Sequence, residues 1–298
     1  MRVLSFGSLN IDYVYPVDHI IQPGETENTG GMSINCGGKG LNQSVALARA
    51  GLDVWHAGLV GDEGAILIDK CLENKINSDH IKKISGRSGH TIIQVDKDGQ
   101  NSILLFGGAN RRITEGFIDE TLKDFGQGDY IILQNEVNLL SEIIDRAYDN
   151  KMTIVLNPSP YDETISDCDL GKVSFFIMNE VEGRQMTGEN DSEQILQYMK
   201  EHYPEADTVL TLGSQGSMYQ DQNNIYRQGI YEVKAVDTTA AGDTFTGYFI
   251  ASIINGKAPE NALKIAARAS SLTVTRNGAL DSIPAYEEVM AEEYNDPT

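Results

Sequence analysis

Short apolar, β-branched runs alternate along this 298-residue chain with longer stretches in which apolar positions recur at helical spacing. "RVLSFGSL" is followed by "NQSVALARAG", "VWHAGLVG" by "EGAILIDKCLENK", and "YIILQN" by "LLSEIIDRAYDNK" and then "TIVLNPSP". Further on, "FFIMNE" leads into "EGRQMTG" and "SEQILQYMKEHY", and "TVLTLG" into a polar, glycine-containing stretch. This rhythm predicts βαβ units, hence an α/β fold with a doubly wound, mostly parallel sheet flanked by helices. In such sheets ligands bind beyond the carboxyl ends of the strands, which makes polar residues there the candidates for chemistry.

Two stretches break the rhythm. Residues 13–33 carry Pro, Gly, Thr and Asn between short apolar pieces, and 91–106, "TIIQVDKDGQNSILLF", has two β-rich arms around an Asp-Gly turn signal. The second reads as a hairpin, and the two together as a small inserted sheet, either a lid or a dimer surface, with plain surface hairpins as the alternative. The final segment, 292–298, is expected to fray.

Composition narrows the function classes. With 40% hydrophobic and 22% charged residues the chain reads as soluble and globular, and its length admits one large domain with an insertion or two domains. A net charge of -21 argues against a nucleic-acid surface, which needs clustered Lys and Arg. Cys36, Cys71 and Cys168 are far apart and odd in number, which suits a reducing compartment and excludes a disulfide framework. The N-terminal run is too short and polar for a signal peptide, and no apolar stretch approaches membrane-spanning length, so a cytoplasmic location is expected.

The stretch "VDTTAAGDTFTG" (236–247) puts Asp243 directly behind a small-residue turn and ahead of the apolar "YFIASII". A helix start presents unpaired N–H groups and partial positive charge, so the turn reads as an anion site beside a carboxylate or as an ordinary Asp/Thr cap. "NCGGKGLNQSVALARAG" (35–51) sets three glycines around Lys39 and lets Asn42 open an Ala-rich helix. It is not a Walker A loop, because Gly40 follows Lys39 and Ser33 holds the first-glycine position; a flexible loop with a solvated lysine competes. Asn10 and Asp12, read at the end of the first strand, are two apart and face the same way, as a polyhydroxyl ligand would require; a turn-forming pair is the alternative. No Gly-x-Gly-x-x-Gly follows that strand, against a dinucleotide oxidoreductase.

Asn179 and Glu182, three residues apart after a strand, suit either a water-mediated Mg²⁺ contact or a helix cap. "TLGSQGS" (211–217) suits nucleotide phosphates or a tight turn. The five histidines show no metal spacing and no Gly-x-Ser-x-Gly elbow occurs, so zinc-enzyme and hydrolase readings lack support.

In order and approximate spacing, "GSLNID", "GGKGLNQSVALARAG", "NPSP", "NEVEG", "TLGSQGS" and "VDTTAAGDTFTG" resemble the ribokinase/phosphofructokinase-B family of sugar kinases over nearly the whole chain. The resemblance implies one domain, 1–298, with lid insertions at about 13–33 and 91–106, and an ATP-dependent phosphorylation of a small sugar. D-ribose, giving ribose 5-phosphate, is the acceptor it most suggests; fructose, 2-keto-3-deoxygluconate or a nucleoside are same-class alternatives. A non-catalytic sugar- or nucleotide-binding regulator is the different-class alternative, against which Asp243 and its turn count.

By resemblance, Asp243 is the base for the attacking hydroxyl, and Ala240, Ala241 and Gly242 form the anion hole. Asn10, Asp12, Gly38, Lys39, Gly40, Asn42 and Glu136 hold the sugar. ATP lies against Asn179, Thr211, Gly213, Ser214, Gly216 and Gly242, with Glu182 near Mg²⁺. Asp237, Thr239, Thr273, Arg276, Gly278 and Ser282 surround an activating K⁺, mostly through backbone carbonyls. Ala266 and Ala267 depart from the Asn or His many relatives carry near the adenine. The lid implies a homodimer.

Overall fold

The structure, a computed structural model, describes residues 1–291; the segment 292–298, expected above to fray, lies outside the described residues. The first apolar run forms β1 (Val3–Phe6), buried throughout. The chain then passes through buried Gly7, Ser8 and Leu9 into β2 (Asn10–Pro16), which pairs antiparallel with β3 (Ser33–Gly37) in a separate sheet. Asn10 and Asp12 therefore do not end the first strand; they open a strand of the second sheet. Helix α1 (Lys39–Arg49), β4 (Val54–Val60), α2 (Ala65–Glu73) and β5 (Asn77–Lys83) follow. After the hairpin β6 (Gly89–Val95) and β7 (Asn101–Phe106) come α3 (Glu115–Leu122), β8 (Tyr130–Gln134), α4 (Leu140–Asp149) and β9 (Thr153–Asn157). Then come β10 (Phe175–Asn179), α5 (Glu180–Thr187), α6 (Ser192–His202), β11 (Asp207–Thr211), β12 (Ser217–Gln220) and β13 (Ile225–Gln228). Helices α7 (Ala241–Ile254), α8 (Pro259–Val274) and α9 (Tyr286–Ala291) close the described chain.

The main sheet has nine strands in the order β13-β12-β11-β10-β9-β8-β1-β4-β5, parallel from β5 to β11 and antiparallel at β12 and β13. Successive strand residues point to opposite faces, so two cores form. Val3, Ile132, Val155, Ile177 and Val209 pack with α1, α7 and α8 on one side. Leu4, Ile131, Leu133, Phe176 and Leu210 pack with α3, α4 and α6 on the other. Each such side chain contributes ~1.5–3 kcal/mol by leaving water.

The second sheet has four strands in the order β3-β2-β6-β7. It uses the expected insertions with shifted boundaries: strands begin at Asn10 and Gly89, the first arm returns through β3 to Gly37, and 17–32 contain no strand. Edge strand β7 is exposed at all six positions, four of them the apolar Ile103, Leu104, Leu105 and Phe106. Among the described residues no helix is long and apolar enough to cross a membrane.

Candidate active site

Helices α1 and α7 approach closely because Gly247 faces α1: a Cβ there would lie 2.4 Å from Ala46 Cβ and 2.8 Å from the Leu47 nitrogen. That approach brings the first turns of the two helices together. Asn42 Nδ2 donates to Asp243 Oδ2 at 2.9 Å, and Gln43 Nε2 donates to Asp243 Oδ1 at 2.9 Å. Helix α1 starts at Lys39, with Gly38 at its cap, so Asn42 sits inside the first turn rather than opening the helix. The turn before α7 is tightened by Ala240 in the left-handed region, φ 61°. The Ala241 N–H donates to the Thr238 carbonyl at 3.2 Å, while the Gly242 and Asp243 N–H groups find no acceptor among the described residues. Unpaired N–H groups at a helix start favour an anion. Asp243 is thus not a cap: its carboxylate turns inward to α1.

The second sheet reaches the start of α1, since β3 ends at Gly37 next to the Gly38 cap. Asn10 Oδ1 accepts from Asn110 Nδ2 at 2.7 Å, and Asp12 Oδ1 accepts from Thr91 Oγ1 at 2.5 Å. Both residues are buried. Burial, with the Glu136 charge adding, raises the Asp12 carboxyl to about 6 against the opposing Thr91 hydrogen bond. Glu136 is fixed through Oε2 by Ser8 Oγ and by the Lys39 N–H at 3.1 Å. Gly40 lets the start of α1 press on Gly7 and Ser8, where a Cβ would meet the Ser8 nitrogen at 2.4 Å, and its N–H donates to Ser8 Oγ at 3.2 Å. For the Lys39 ammonium, burial pulls the pKa down, but Asp243, Glu136 and Glu182 together outweigh it and hold it above the ordinary lysine value.

At the start of α7 opens a cavity of about 650 Å³. Thr211, Gly213, Ser214 and Gly216 line it, as do Ala241 and Gly242. Its remaining wall comes from 229–235, from Phe245, and from Ala267, Ser270, Ser271 and Val274 of α8. Ala267 reaches the cavity; Ala266 is fully buried. Asn179 and Glu182 do not line it. They form a capping box: Asn179 Oδ1 accepts from the Val181 and Glu182 N–H groups, and Glu182 Oε2 from the Asn179 N–H, each at 2.9 Å.

Of the residues expected around a monovalent cation, Asp237 joins two segments. Its Oδ1 accepts from the Thr239 N–H and Oγ1 at 2.9 and 2.6 Å, and its Oδ2 from the Gly278 N–H at 2.9 Å. Thr273 and Ser282 are buried with their hydroxyls bonded to Ala269 and Ala279 carbonyls. The Arg276 side chain pairs with Glu288 at 2.7 Å, which leaves only its backbone for such a site. Among the described residues no three His, Cys, Asp or Glu side chains converge as metal ligands.

Comparison with known proteins gives the family of the chain. The family described as pfkB family carbohydrate kinase matches residues 1–286. The chain belongs to the pfkB family of carbohydrate kinases. A ribokinase of Haemophilus influenzae is 32% identical to it over 296 residues, 95% of each chain. The crystal structure of a Thermotoga maritima ribokinase superposes with a TM-score of 0.86 at 31% identity, over 97% of this chain and 98% of that one. An Arabidopsis thaliana ribokinase complexed with ribose and ATP gives 0.84 at 27% identity, over 97% of each chain. In this pfkB chain the structure adds to the sequence-based set Ser8, Gln43, Asn110, Gln134 and Asn157, and the loop 229–235. Asn157 and Gln134 lay inside motifs already singled out or beside them; Gln43 adjoins Asn42; the loop 229–235 carried no sequence signal.

Proposed function

We propose that the chain transfers the γ-phosphoryl group of ATP to a hydroxyl of a small sugar, D-ribose foremost, yielding ribose 5-phosphate and ADP. One observation carries the reading: the buried Asp243 carboxylate, bonded to Asn42 and Gln43 and facing the charge of Lys39, directly follows Gly242 in the wall of the 650 Å³ cavity. The ribose- and ATP-bound Arabidopsis relative supports the same pair of ligands. Asp243 takes the proton of the attacking hydroxyl as its oxygen bonds to the γ-phosphorus and the bond to the ADP oxygen breaks. The Gly242 and Asp243 N–H groups and the Lys39 ammonium meet the charge of the transferring group. Positioning and preorganised charge of this kind supply most of the acceleration in phosphoryl transfer.

Mg²⁺ bound with ATP supplies charge neutralisation on the phosphates. It keeps several waters, and Glu182, whose Oε2 is engaged in the helix cap, fits a water-mediated contact. The Asp237 bridge draws 239 and 278 together, so that backbone carbonyls of the two segments would hold K⁺. A homodimer through the second sheet accounts for the exposed apolar strand β7; sedimentation as a monodisperse monomer would remove that part.

The test is ADP release with Mg-ATP, offering D-ribose, D-fructose, 2-keto-3-deoxygluconate and adenosine in turn, each with and without K⁺. Preferential, K⁺-stimulated turnover of ribose is expected. Turnover of another acceptor relocates the sugar choice, and none with any acceptor revives the binding-protein reading.

A further inference from the structure

We propose that Gln43 is a positioning residue for the Asp243 carboxylate, its amide oriented by Gln134 and Asn157 from the carboxyl ends of β8 and β9. The proposal rests on the reading of Asp243 as the base. Gln43 is fully buried. Its Nε2 donates to Asp243 Oδ1 at 2.9 Å and to Asn157 Oδ1 at 3.3 Å, and its Oε1 accepts from Gln134 Nε2 at 2.7 Å. A primary amide has one donating and one accepting end. Asn157 decides which end faces Asp243: turned half round, Gln43 would set its oxygen against both the carboxylate and Asn157 Oδ1, while the Gln134 donation completes the accepting end. Asn157 is fixed in turn, since its Nδ2 donates to the Ile177 carbonyl at 2.7 Å and its Oδ1 is left to accept.

Three adjacent strands, β8, β9 and β10, thereby set the orientation of one amide on α1, and that amide sets one oxygen of a carboxylate on α7. Asn42 holds the other oxygen. With one donor on each oxygen the plane of the carboxylate is fixed and lone pairs remain for the sugar hydroxyl. The charged group facing Asp243 from α1 is Lys39, beside which Glu136 and Glu182 also lie; Lys39 stays protonated through the working range, so it does not mimic a change at Asp243.

The test is Gln43→Met, which keeps length and removes the donor, assayed with Mg-ATP and the accepted sugar from about pH 5 to about pH 9. We expect kcat to fall roughly 10- to 100-fold, the range for outer partners of functional groups. The sugar KM should stay within about 3-fold, because uniform binding is untouched. Gln134→Met, which removes the donor to Gln43 Oε1, should lower kcat the same way by less, and it carries the test should Gln43→Met lack a cooperative melting transition. A kcat of Gln43→Met within about 3-fold of the native enzyme, or a sugar KM that rises by as much as kcat falls, overturns the proposal and leaves the base reading in place. An Asp243→Asn enzyme that keeps its turnover overturns the base reading itself.

Discussion

On the proposed acceptor side of Asp243 the candidate residues are buried polar side chains with fixed side-chain partners, whereas the proposed donor cavity is lined by glycines, short side chains and apolar groups such as Ile230 and Phe245. Asn10, Asp12, Asn42 and Gln43 each make a hydrogen bond of 2.5–2.9 Å to another side chain. The donor cavity is walled by glycines 213, 216, 229 and 242, by the coil 229–235 and by alanines and serines. Ser270 and Ser271 bond their hydroxyls to the Ala241 and Arg268 carbonyls, so they present little to a ligand. Buried side-chain partners reject a misfitting ligand strongly because they are left unpaired, while shape and backbone discriminate weakly. Side-chain substitutions should therefore matter greatly on one side of Asp243 and little on the other.

The largest effect belongs at the boundary. Asp243→Asn keeps the shape of the carboxylate but removes the proposed base, and it sets a third NH₂ beside those of Asn42 and Gln43. Turnover should drop by ~10²–10⁴, the scale of a lost general base. ADP release at saturating ribose measures it.

On the acceptor side the next effect is at Asp12 and depends on pH. Its carboxyl sits at about 6 rather than 3.8, so the folded protein holds this proton more tightly than the unfolded chain. Asp12 therefore favours folding fully at low pH, and that contribution, roughly 3 kcal/mol, is lost as pH rises through about 6. Sugar binding runs the opposite way, because the ionised form is the better acceptor for hydroxyls, so the ribose KM should rise as pH falls below about 6. Asp12→Asn should cut kcat/KM for ribose about 10- to 100-fold, the worth of a charged hydrogen bond, and flatten the pH dependence of KM. A KM that climbs on acidification just as steeply in Asp12→Asn would locate the titrating group elsewhere.

These two residues also mark how far sequence reaches. The parallel sheet was legible because its buried strands are unbroken apolar runs, such as "YIILQ" and "TIVLN". Strand β5, "NSDHIKK", was not: it lies at the sheet edge with a single fully buried position, so its composition is that of a loop. The pair β12 and β13 hid in a polar, turn-rich stretch: β13 is the other sheet edge with no buried position, and β12, although buried throughout, has polar Ser217 and Gln220 at its ends. The transfer of Asn10 and Asp12 to a second sheet was invisible because Gly7, Ser8 and Leu9 are as buried as the strand before them. Asp243 was legible from its own turn, yet its two amide donors lie 200 and 201 residues away, a proximity no local pattern encodes. The donor loop 229–235 is read only from the cavity it closes.

A smaller effect tests whether the base is held to the acceptor side by helix packing. Gly247→Ala puts a methyl 2.4 Å from Ala46 Cβ, and α1 and α7 must part to admit it. Overpacking of this kind costs about 1–3 kcal/mol, seen as a lowered melting temperature. The parting also lengthens the Asn42 and Gln43 bonds to Asp243, so kcat should fall further than the lost stability explains. Unchanged kcat at a reduced melting temperature would mean that the first turns stay together without this contact.

The smallest effect is expected in the donor wall, at Ser217. Its hydroxyl is buried against the cavity and has no partner among the described residues, an arrangement that carries a desolvation penalty with nothing to offset it. Ser217→Ala removes the penalty along with the group, so folding should be unharmed and the KM for ATP should change less than about 3-fold, within the discrimination shape alone provides. The measurement that matters is the ATP KM in the variant. A rise beyond about 10-fold would mean that the hydroxyl is kept unpartnered for the nucleotide itself, and that the donor wall reads its ligand through a buried side chain just as the acceptor wall does.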